Sequence, residues 1–147
     1  MTKRLGVCLT ILCLMGSGCE ASSMKFSTPV HTPRQLIHVA LATTPEEQEL
    51  GLGERDSLAP DQGMVFVFAE PGPYSFWMKG MRFSIDLVWI HQKKVVGVSA
   101  NVPAPQSSTE PPVIVSPPEP IDRVLELPAG RAEAYGIRSG VVLSDLP

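Results

Sequence analysis

An indole and an ammonium group stand two residues apart in the segment YSFWMK, as Trp77 and Lys79. Alternate side chains of a strand share a face, so these two lie together while Phe76 and Met78 point to the core. The indole offers apolar contact area and the ammonium a point charge, a combination that suits an anionic or carbohydrate-like ligand. The pattern therefore predicts a ligand-binding groove beside Trp77 and Lys79.

Two further polar residues are candidates for the same groove. Asp86 lies seven residues after Lys79 and opens the next predicted strand, where it either binds the ligand or forms an ordinary ion pair with Lys79. Asn101 ends a later strand, and its side chain either caps a turn or gives an amide contact to the ligand. The predicted ligand-binding set is thus Trp77, Lys79, Asp86 and Asn101.

Catalysis is the alternative hypothesis, and it depends on a pair of carboxylates. Asp86 and Glu126 could flank a scissile bond in an envelope hydrolase, provided that folding sets them at a working separation. The ordinary interpretation of Glu126 is a solvated strand position. The chain contains no nucleophile elbow, P-loop, HExxH or GxGxxG motif, so no catalytic residue is assigned and binding is favoured over catalysis.

A third hypothesis is a cuprous-copper carrier, because thioether and imidazole ligands suit Cu(I) and an indole can cap such a site. The candidate ligands are Met64, Met78, Met81 and His91, with His38 as the alternative histidine and Trp77 as the cap. Met64 falls in a strand rich in Val and Phe, where a methionine is more often core filler. The favoured prediction therefore includes no metal and no other cofactor.

The N-terminus has the pattern of an export signal. Lys3 and Arg4 precede an apolar stretch, residues 5–15, that spans only about half of a bilayer core at about 1.5 Å per residue. We therefore expect a signal peptide over residues 1–18 rather than a membrane-spanning helix. The domain then works outside the cytoplasm.

Small residues directly before Cys19 resemble a bacterial lipobox, in which the cysteine is acylated and becomes the new N-terminus. Gly16 occupies the place where the usual lipobox has leucine, so ordinary cleavage into a soluble periplasmic protein is the alternative. The three cysteines, Cys8, Cys13 and Cys19, all fall in the first 19 residues, which favours a use for Cys19 at the cleavage point. The favoured prediction is a lipoprotein anchored by Cys19 and facing the periplasm or the cell exterior.

The charge balance argues against nucleic acid as a partner. Twelve Lys and Arg stand against 15 Asp and Glu, for a net charge of −3, and no basic run occurs. The expected partners are the membrane, through the lipid on Cys19, and a small molecule or an envelope protein. The length of 147 residues predicts a single domain, expected to be a monomer.

The pattern of elements predicts a flexible tether over residues 19–34 and one domain over residues 35–147, with a proline-rich loop at 103–120. Thr44, Pro45 and Glu47 form the capping pattern of a short helix that ends near Gly51, and a second short helix is expected in AGRAEAYG. About seven strands are expected, in QLIHVALA, MVFVFA, YSFWMK, IDLVWIH, KVVGVSAN, DRVLELP and VVLSD. These elements predict a mainly β fold, a small antiparallel β-sandwich or barrel-like domain with two short helices.

Several of these strings occur together in a known family. GMVFVF, YSFWMK with Asp86 after it, NVP at residues 101–103 and VLELPAG resemble, in order and spacing, the bacterial and archaeal Domain of Unknown Function 192. The resemblance runs from about residue 35 to 145 and implies a small β-sandwich or barrel, often exported, without any agreed activity, substrate or cofactor. The chain departs from the family at Gly80-Met81, at Ser84-Ile85-Asp86 and in the loop after NVP, which lacks a common cysteine pair.

Overall fold

The computed structural model describes residues 24–107 and 109–147. The predicted signal peptide (residues 1–18) and Cys19 lie outside these residues. Across the described ranges, no helix has the length and apolar character needed to cross a bilayer.

Eight strands and two short helices make up the domain, which confirms the predicted mainly β fold. The strands are β1 (Thr28–His31), β2 (Leu36–Ala42), β3 (Gln62–Gly72), β4 (Phe76–Trp77), β5 (Ile85–His91), β6 (Lys94–Val102), β7 (Ile114–Val115) and β8 (Ile121–Pro128), and the helices are α1 (Pro45–Leu50) and α2 (Arg131–Ala134). Six strands form one sheet in the order β1-β2-β3-β8-β5-β6, and β4 pairs with β7 in a second sheet. The large sheet does not close into a barrel.

All strand pairs in the large sheet are antiparallel except β2 and β3, which run parallel with α1 in the connection between them. The predicted start of α1 is confirmed in detail: the Thr44 side chain accepts from the Glu47 backbone, and Glu47 accepts from the Thr44 backbone in return. The amide of Gln48 then donates to Val67 O at 2.9 Å, which ties the helix to β3. The same amide also donates to Ala42 O of β2 at 3.3 Å, so local capping and two side-chain hydrogen bonds fix α1 beside the sheet.

Hydrophobic clusters lie on both faces of the large sheet. Val88 and Leu125 belong to the first cluster, which also contains Ala132 of α2 and residues of the C-terminal segment. Leu87 and Val124, their chain neighbours, belong to the second cluster, which contains Phe66 and is joined by residues of the β4–β7 sheet. Because both faces are covered, the central strands are near-continuous apolar runs rather than alternating ones.

Three predicted boundaries differ from the structure. The tether predicted over residues 19–34 is too long, since Thr28–His31 pairs with β2 and Val30 is fully buried. The segment predicted to be a proline-rich loop, residues 103–120, contains a strand, since Ile114–Val115 forms β7 and pairs with β4. The strand expected in VVLSD is reduced to one bridge, between Val142 and Lys94. The chain turns just before this bridge, at residues 138–141, and again just after it, at residues 143–146, so a longer pairing does not form.

Candidate functional site

Trp77 and Lys79 lie together on the surface, as the alternation of YSFWMK predicts. The Lys79 ammonium is 5.1 Å from the centre of the Trp77 ring, and the Trp77 side chain is 49% exposed. On the other side of this segment Phe76 packs edge-on against Phe66 and Met78 is buried. Because Phe76 and Met78 pack into the core on one side of the segment, the Trp77 indole and the Lys79 ammonium both point to solvent on the other.

The short sheet of β4 and β7 explains why an indole stays at the surface. Trp77 is paired across the strands with Ile114, which is 67% exposed, while Phe76 is paired with Val115, which packs on the core. The Ser75 and Ser116 hydroxyls share a 2.8 Å hydrogen bond at the end of this pairing. The small sheet thus acts as a platform that presents Trp77 to solvent.

A buried carboxyl lies behind this platform. Glu126 is central in β8, opposite Met64 of β3 on one side and Leu87 of β5 on the other. Only 5% of its surface is exposed, and its Oε2 has no hydrogen-bond partner within the described residues. Burial raises the pKa of Glu126 to about 8, so the group is an uncharged acid at neutral pH. The solvated position expected for Glu126 is therefore wrong.

Three adjoining cavities meet at Trp77, and together they are called the Trp77 cleft below. The inner cavity, about 30 Å³, is bounded by Glu126, Gln48, Gly51, Phe66, Trp77 and Lys79 among others. The aromatic cavity, about 370 Å³, is bounded by Gln48, Phe66, Phe68, Pro73, Tyr74, Ser75, Phe76 and Trp77. The outer cavity, about 150 Å³, is bounded by Glu49, Leu50, Gly53, Glu54, Trp77, Lys79 and Gly80.

The residue that ends α1 keeps the inner cavity open. Gly51 has φ 51° and ψ −134°, a conformation that is essentially restricted to glycine. A Cβ atom at this position would approach Phe66 Cζ to 3.1 Å and Glu126 Oε2 to 3.8 Å. A side chain here would therefore be strained and would enter the space in front of the Glu126 carboxyl.

A larger cavity, about 530 Å³, lies on the far side of Lys79 against the proline-rich loop. Its walls are mainly exposed side chains of that loop and of the Gly80–Arg82 turn. The Trp77 cleft is the stronger candidate, because a buried polar group, Glu126, lies in its wall, whereas the charged side chains around the larger cavity are exposed.

Asp86, predicted to share the groove with Trp77, lies elsewhere. The residue is fully buried, and its carboxylate accepts three backbone N–H groups: Asn101 at 2.8 Å, Gly130 at 3.1 Å and Ala132 at 2.8 Å. The ion pair with Lys79 does not form within the described chain. Asp86 therefore fixes β6 and the turn before α2, and it contributes nothing to the wall of the Trp77 cleft.

Asn101 is likewise part of this internal support. Its backbone has φ 55°, and the β5–β6 register shifts at this point, where Ser99 and Val102 are opposite Leu87 and Ile85. The extra residue forms a bulge whose N–H is donated to Asp86. The predicted amide contact of Asn101 with a ligand in the groove beside Trp77 is thus not supported by its position.

The carboxylates of the hydrolase hypothesis are not brought together. Asp86 is opposite Leu127 and Glu126 is opposite Leu87, so successive residues place the two side chains on different faces of the sheet. Asp86 reaches the α2 side, whereas Glu126 faces the Trp77 cleft. Two groups separated by the sheet cannot flank one bond.

The residues of the copper hypothesis are only partly assembled. Met64, Met78 and Met81 are all buried in the second hydrophobic cluster, but His91 lies at the far end of β5 beside Lys94. Between residues 24 and 147, leaving aside position 108, no group of three His, Cys, Asp or Glu could hold a metal ion. The methionines serve as core residues in this arrangement.

Gln48, Gly51 and the burial of Glu126 were not identified from the sequence. The sequence feature that indicates the burial is found in the segments IDLVWI and VLEL. Each segment is apolar on both faces except for one acidic residue, Asp86 in the first and Glu126 in the second. Such strands are typical of a sheet covered on both sides. Strand alternation alone could not distinguish that arrangement from a half-exposed sheet.

Comparison with known proteins agrees with this architecture. The family model of DUF192, described as an uncharacterized ACR, matches residues 28–144. Comparison with curated proteins gives no match.

Two crystal structures are similar to the chain over most of its length. One is from Sinorhizobium meliloti 1021, a protein for which a role as a transcription regulator has been suggested: 32% identity, 79% of this chain and 89% of that chain, TM-score 0.69. The other is a protein of unknown function from Novosphingobium aromaticivorans DSM 12444: 28% identity, 76% of this chain and 80% of that chain, TM-score 0.67. With a family model matched over residues 28–144, the chain belongs to the DUF192 family.

Proposed function

We propose that this protein is a binding module of the bacterial cell envelope, and that its ligand occupies the Trp77 cleft. The binding surface is the gap between α1 and β4, with Trp77 and Lys79 on one side and Gln48 on the other. Of the four residues that the sequence predicted to bind the ligand, Trp77, Lys79, Asp86 and Asn101, the proposed site keeps Trp77 and Lys79. Glu126 joins them as the floor of the site.

One observation carries the proposal: a half-exposed indole lies where three cavities meet, above a buried carboxyl whose Oε2 has no hydrogen-bond partner among residues 24–107 and 109–147. Large aromatic side chains are normally buried, and a buried polar group normally has a hydrogen-bond partner. Both exceptions occur at one place. A bound molecule would cover the exposed indole of Trp77 and give the Glu126 carboxyl a hydrogen-bond partner.

The cellular setting is part of the same proposal. A signal peptide at residues 1–18 would export the domain to the periplasm or the cell exterior, and a lipid on Cys19 would tether it at the membrane. Labelled palmitate tests this directly. Incorporation that is lost in Cys19→Ser supports the anchor, and equal labelling of both chains contradicts it.

We do not extend to this chain the transcription role suggested for the Sinorhizobium protein. The 15 acidic residues outnumber the 12 basic ones, and no basic run is present to neutralise phosphates. A hydrolase that uses Asp86 and Glu126 is not proposed either, since the two side chains face opposite sides of the sheet.

Native mass spectrometry of the exported protein, purified from its own envelope, tests the binding role. We expect a small-molecule adduct on the wild-type chain that is lost in Trp77→Ala. Ile114→Ala is the matched control, because Ile114 is the exposed cross-strand partner of Trp77 and is absent from the walls of all three cavities. Equal spectra for wild type and Trp77→Ala would contradict the proposal, and so would loss in both variants, which would place the adduct on the exposed β4–β7 surface instead of in the Trp77 cleft.

A further inference from the structure

We infer that the ligand of the Trp77 cleft is an uncharged hydroxylated ring, a pyranose sugar, with one hydroxyl group against the carboxyl of Glu126. This inference depends on the proposed binding function and identifies the chemical class of its ligand. Four features of the cleft support it: its hydrogen-bonding group, its size, its walls and its charge.

The hydrogen-bonding group is Glu126. Burial keeps its carboxyl protonated at neutral pH, so the group can both donate and accept a hydrogen bond. Its Oε2 has no partner within the described chain, and an unpaired buried polar atom costs about 1–3 kcal/mol. A hydroxyl group matches this donor and acceptor pair, whereas a purely apolar ligand would leave it unpaired.

The size of the inner cavity limits what can reach the carboxyl. About 30 Å³ accommodates one group of the size of a water molecule. A whole ring does not fit there, but a single hydroxyl substituent does. The ring itself must therefore lie outside the inner cavity.

The aromatic cavity is the space next to it. It shares Gln48, Phe66, Phe76 and Trp77 with the inner cavity, and its volume of about 370 Å³ is within the range of small-molecule sites. Its walls are mainly aromatic, including the stacked pair Phe68 and Tyr74 at 3.8 Å. Aromatic walls suit the apolar C–H face of a sugar ring, with its hydroxyl groups directed to the rim and to Glu126.

The charge of the rim disfavours an anion. Lys79 is the cation of the outer cavity, but Glu49 and Glu54 share that cavity with it. An anionic ligand would gain one attraction and face two repulsions. This decides between the anionic and the carbohydrate-like ligands that the sequence suggested.

The test is a nitrogen-resolved NMR titration of the full chain with four probes: glucose, galactose, N-acetylglucosamine and glucuronate. The two indole N–H groups make an internal comparison, because Trp77 lines the cleft while Trp89 is buried and donates to Ser99 Oγ. We expect at least one neutral sugar to shift the Trp77 signal to saturation and leave Trp89 nearly unchanged. Glucuronate, which carries a carboxylate on the glucose ring, should bind several-fold more weakly than glucose.

Two variants test the contact with Glu126. Glu126→Leu removes the polar group, and we expect affinity for the neutral sugar to fall about tenfold, the equivalent of one hydrogen bond. Glu126→Gln keeps a donor and an acceptor, so its affinity should stay within about threefold of wild type. Unchanged amide signals of β1, which is separated from β8 by β2 and β3, show in each variant that the fold is intact.

Three results would overturn the inference: no neutral sugar shifts Trp77, glucuronate binds more tightly than every neutral sugar, or Glu126→Leu binds like the wild type. The binding role itself would still stand if the native adduct depended on Trp77. An adduct that is retained in Trp77→Ala would instead contradict the proposed function.

Discussion

Asp86 and Glu126 lie on adjacent strands, one residue out of register, and their side chains project from opposite faces of the same sheet. Both are buried, but their surroundings differ completely. Asp86 accepts from three backbone N–H groups, whereas Glu126 has one oxygen without a partner in the described part of the chain and borders a cavity. The first carboxyl is therefore structural and the second is available for binding.

Removal of the Asp86 carboxylate should destabilise the protein strongly. Asp86→Ala leaves three backbone N–H groups without their acceptor, and we expect the free energy of unfolding to fall by about 3 kcal/mol or more. Asp56→Ala is the matched control, because Asp56 is exposed and its ion-pair partner is the exposed Arg82. Its effect should stay within about 0.5 kcal/mol. Denaturant unfolding measures both, and equal effects would refute the structural role of Asp86.

Glu126 should make the stability fall as pH rises. Its pKa is about 8 in the folded chain and near the ordinary 4.5 when unfolded, so between these values the folded state holds a proton that the unfolded state has lost. The contribution is fully present below pH 4.5 and is lost progressively up to about pH 8, by several kcal/mol.

Glu126→Gln measures this effect, because glutamine does not titrate and every other group is retained. The stability of the wild type relative to Glu126→Gln should fall between pH 5 and pH 8, as measured by denaturant unfolding at both values. A constant difference would show that Glu126 is ionised in the folded protein.

Gly51→Ala should destabilise the chain more than Gly80→Ala. Both glycines have a positive φ, 51° and 74°, so both substitutions strain the backbone, by about 1–3 kcal/mol. Only the Cβ at residue 51 meets another group, Phe66 at 3.1 Å, while nothing lies within 4 Å at residue 80. Thermal unfolding of the two variants gives the comparison. Equal losses would mean that the contact with Phe66 relaxes without cost.

Strand β1 should become less protected from hydrogen exchange when the contact between His31 and Asp145 is removed. Asp145 accepts from the ring and the backbone N–H of His31 at 2.7 and 3.0 Å. Burial pushes the pKa of Asp145 upward, but these hydrogen bonds outweigh it and hold the pKa below the ordinary 3.8. The contribution is therefore present above pH 3.8 and is lost as pH falls through the lowered value.

Amide hydrogen exchange detects this loosening at single residues. In Asp145→Ala the His31 amide should exchange about fivefold faster at neutral pH, the equivalent of one hydrogen bond. The amide of Leu127, in the centre of the sheet, should keep its rate. An unchanged His31 rate would show that pairing with β2 alone holds the strand.

The local features of the fold could be predicted from the sequence. The capping pattern at Thr44 and Glu47 and the alternation that sets Trp77 beside Lys79 both appear in the structure as expected. Each depends on residues within a few positions of one another, where helix capping and strand geometry decide the outcome.

The assembly of the site could not be predicted in the same way. Glu126 reaches the cleft only because β8 lies between β3 and β5, a pairing of strands that are distant in the chain. The same pairing carries Asp86 to the opposite face. Residue types and spacing identify both acids, but strand order decides which face each one occupies, and a single sequence contains little information on that order.

The most direct test of the central claim is the response of the two indoles to the small-molecule fraction of the producing cell's envelope. We predict that the Trp77 indole N–H signal shifts in wild-type chain and in Ile114→Ala, while the Trp89 signal does not. A ligand in the Trp77 cleft would be contradicted if the Trp77 indole N–H signal did not move at the highest amount of extract, or if both indole signals shifted equally.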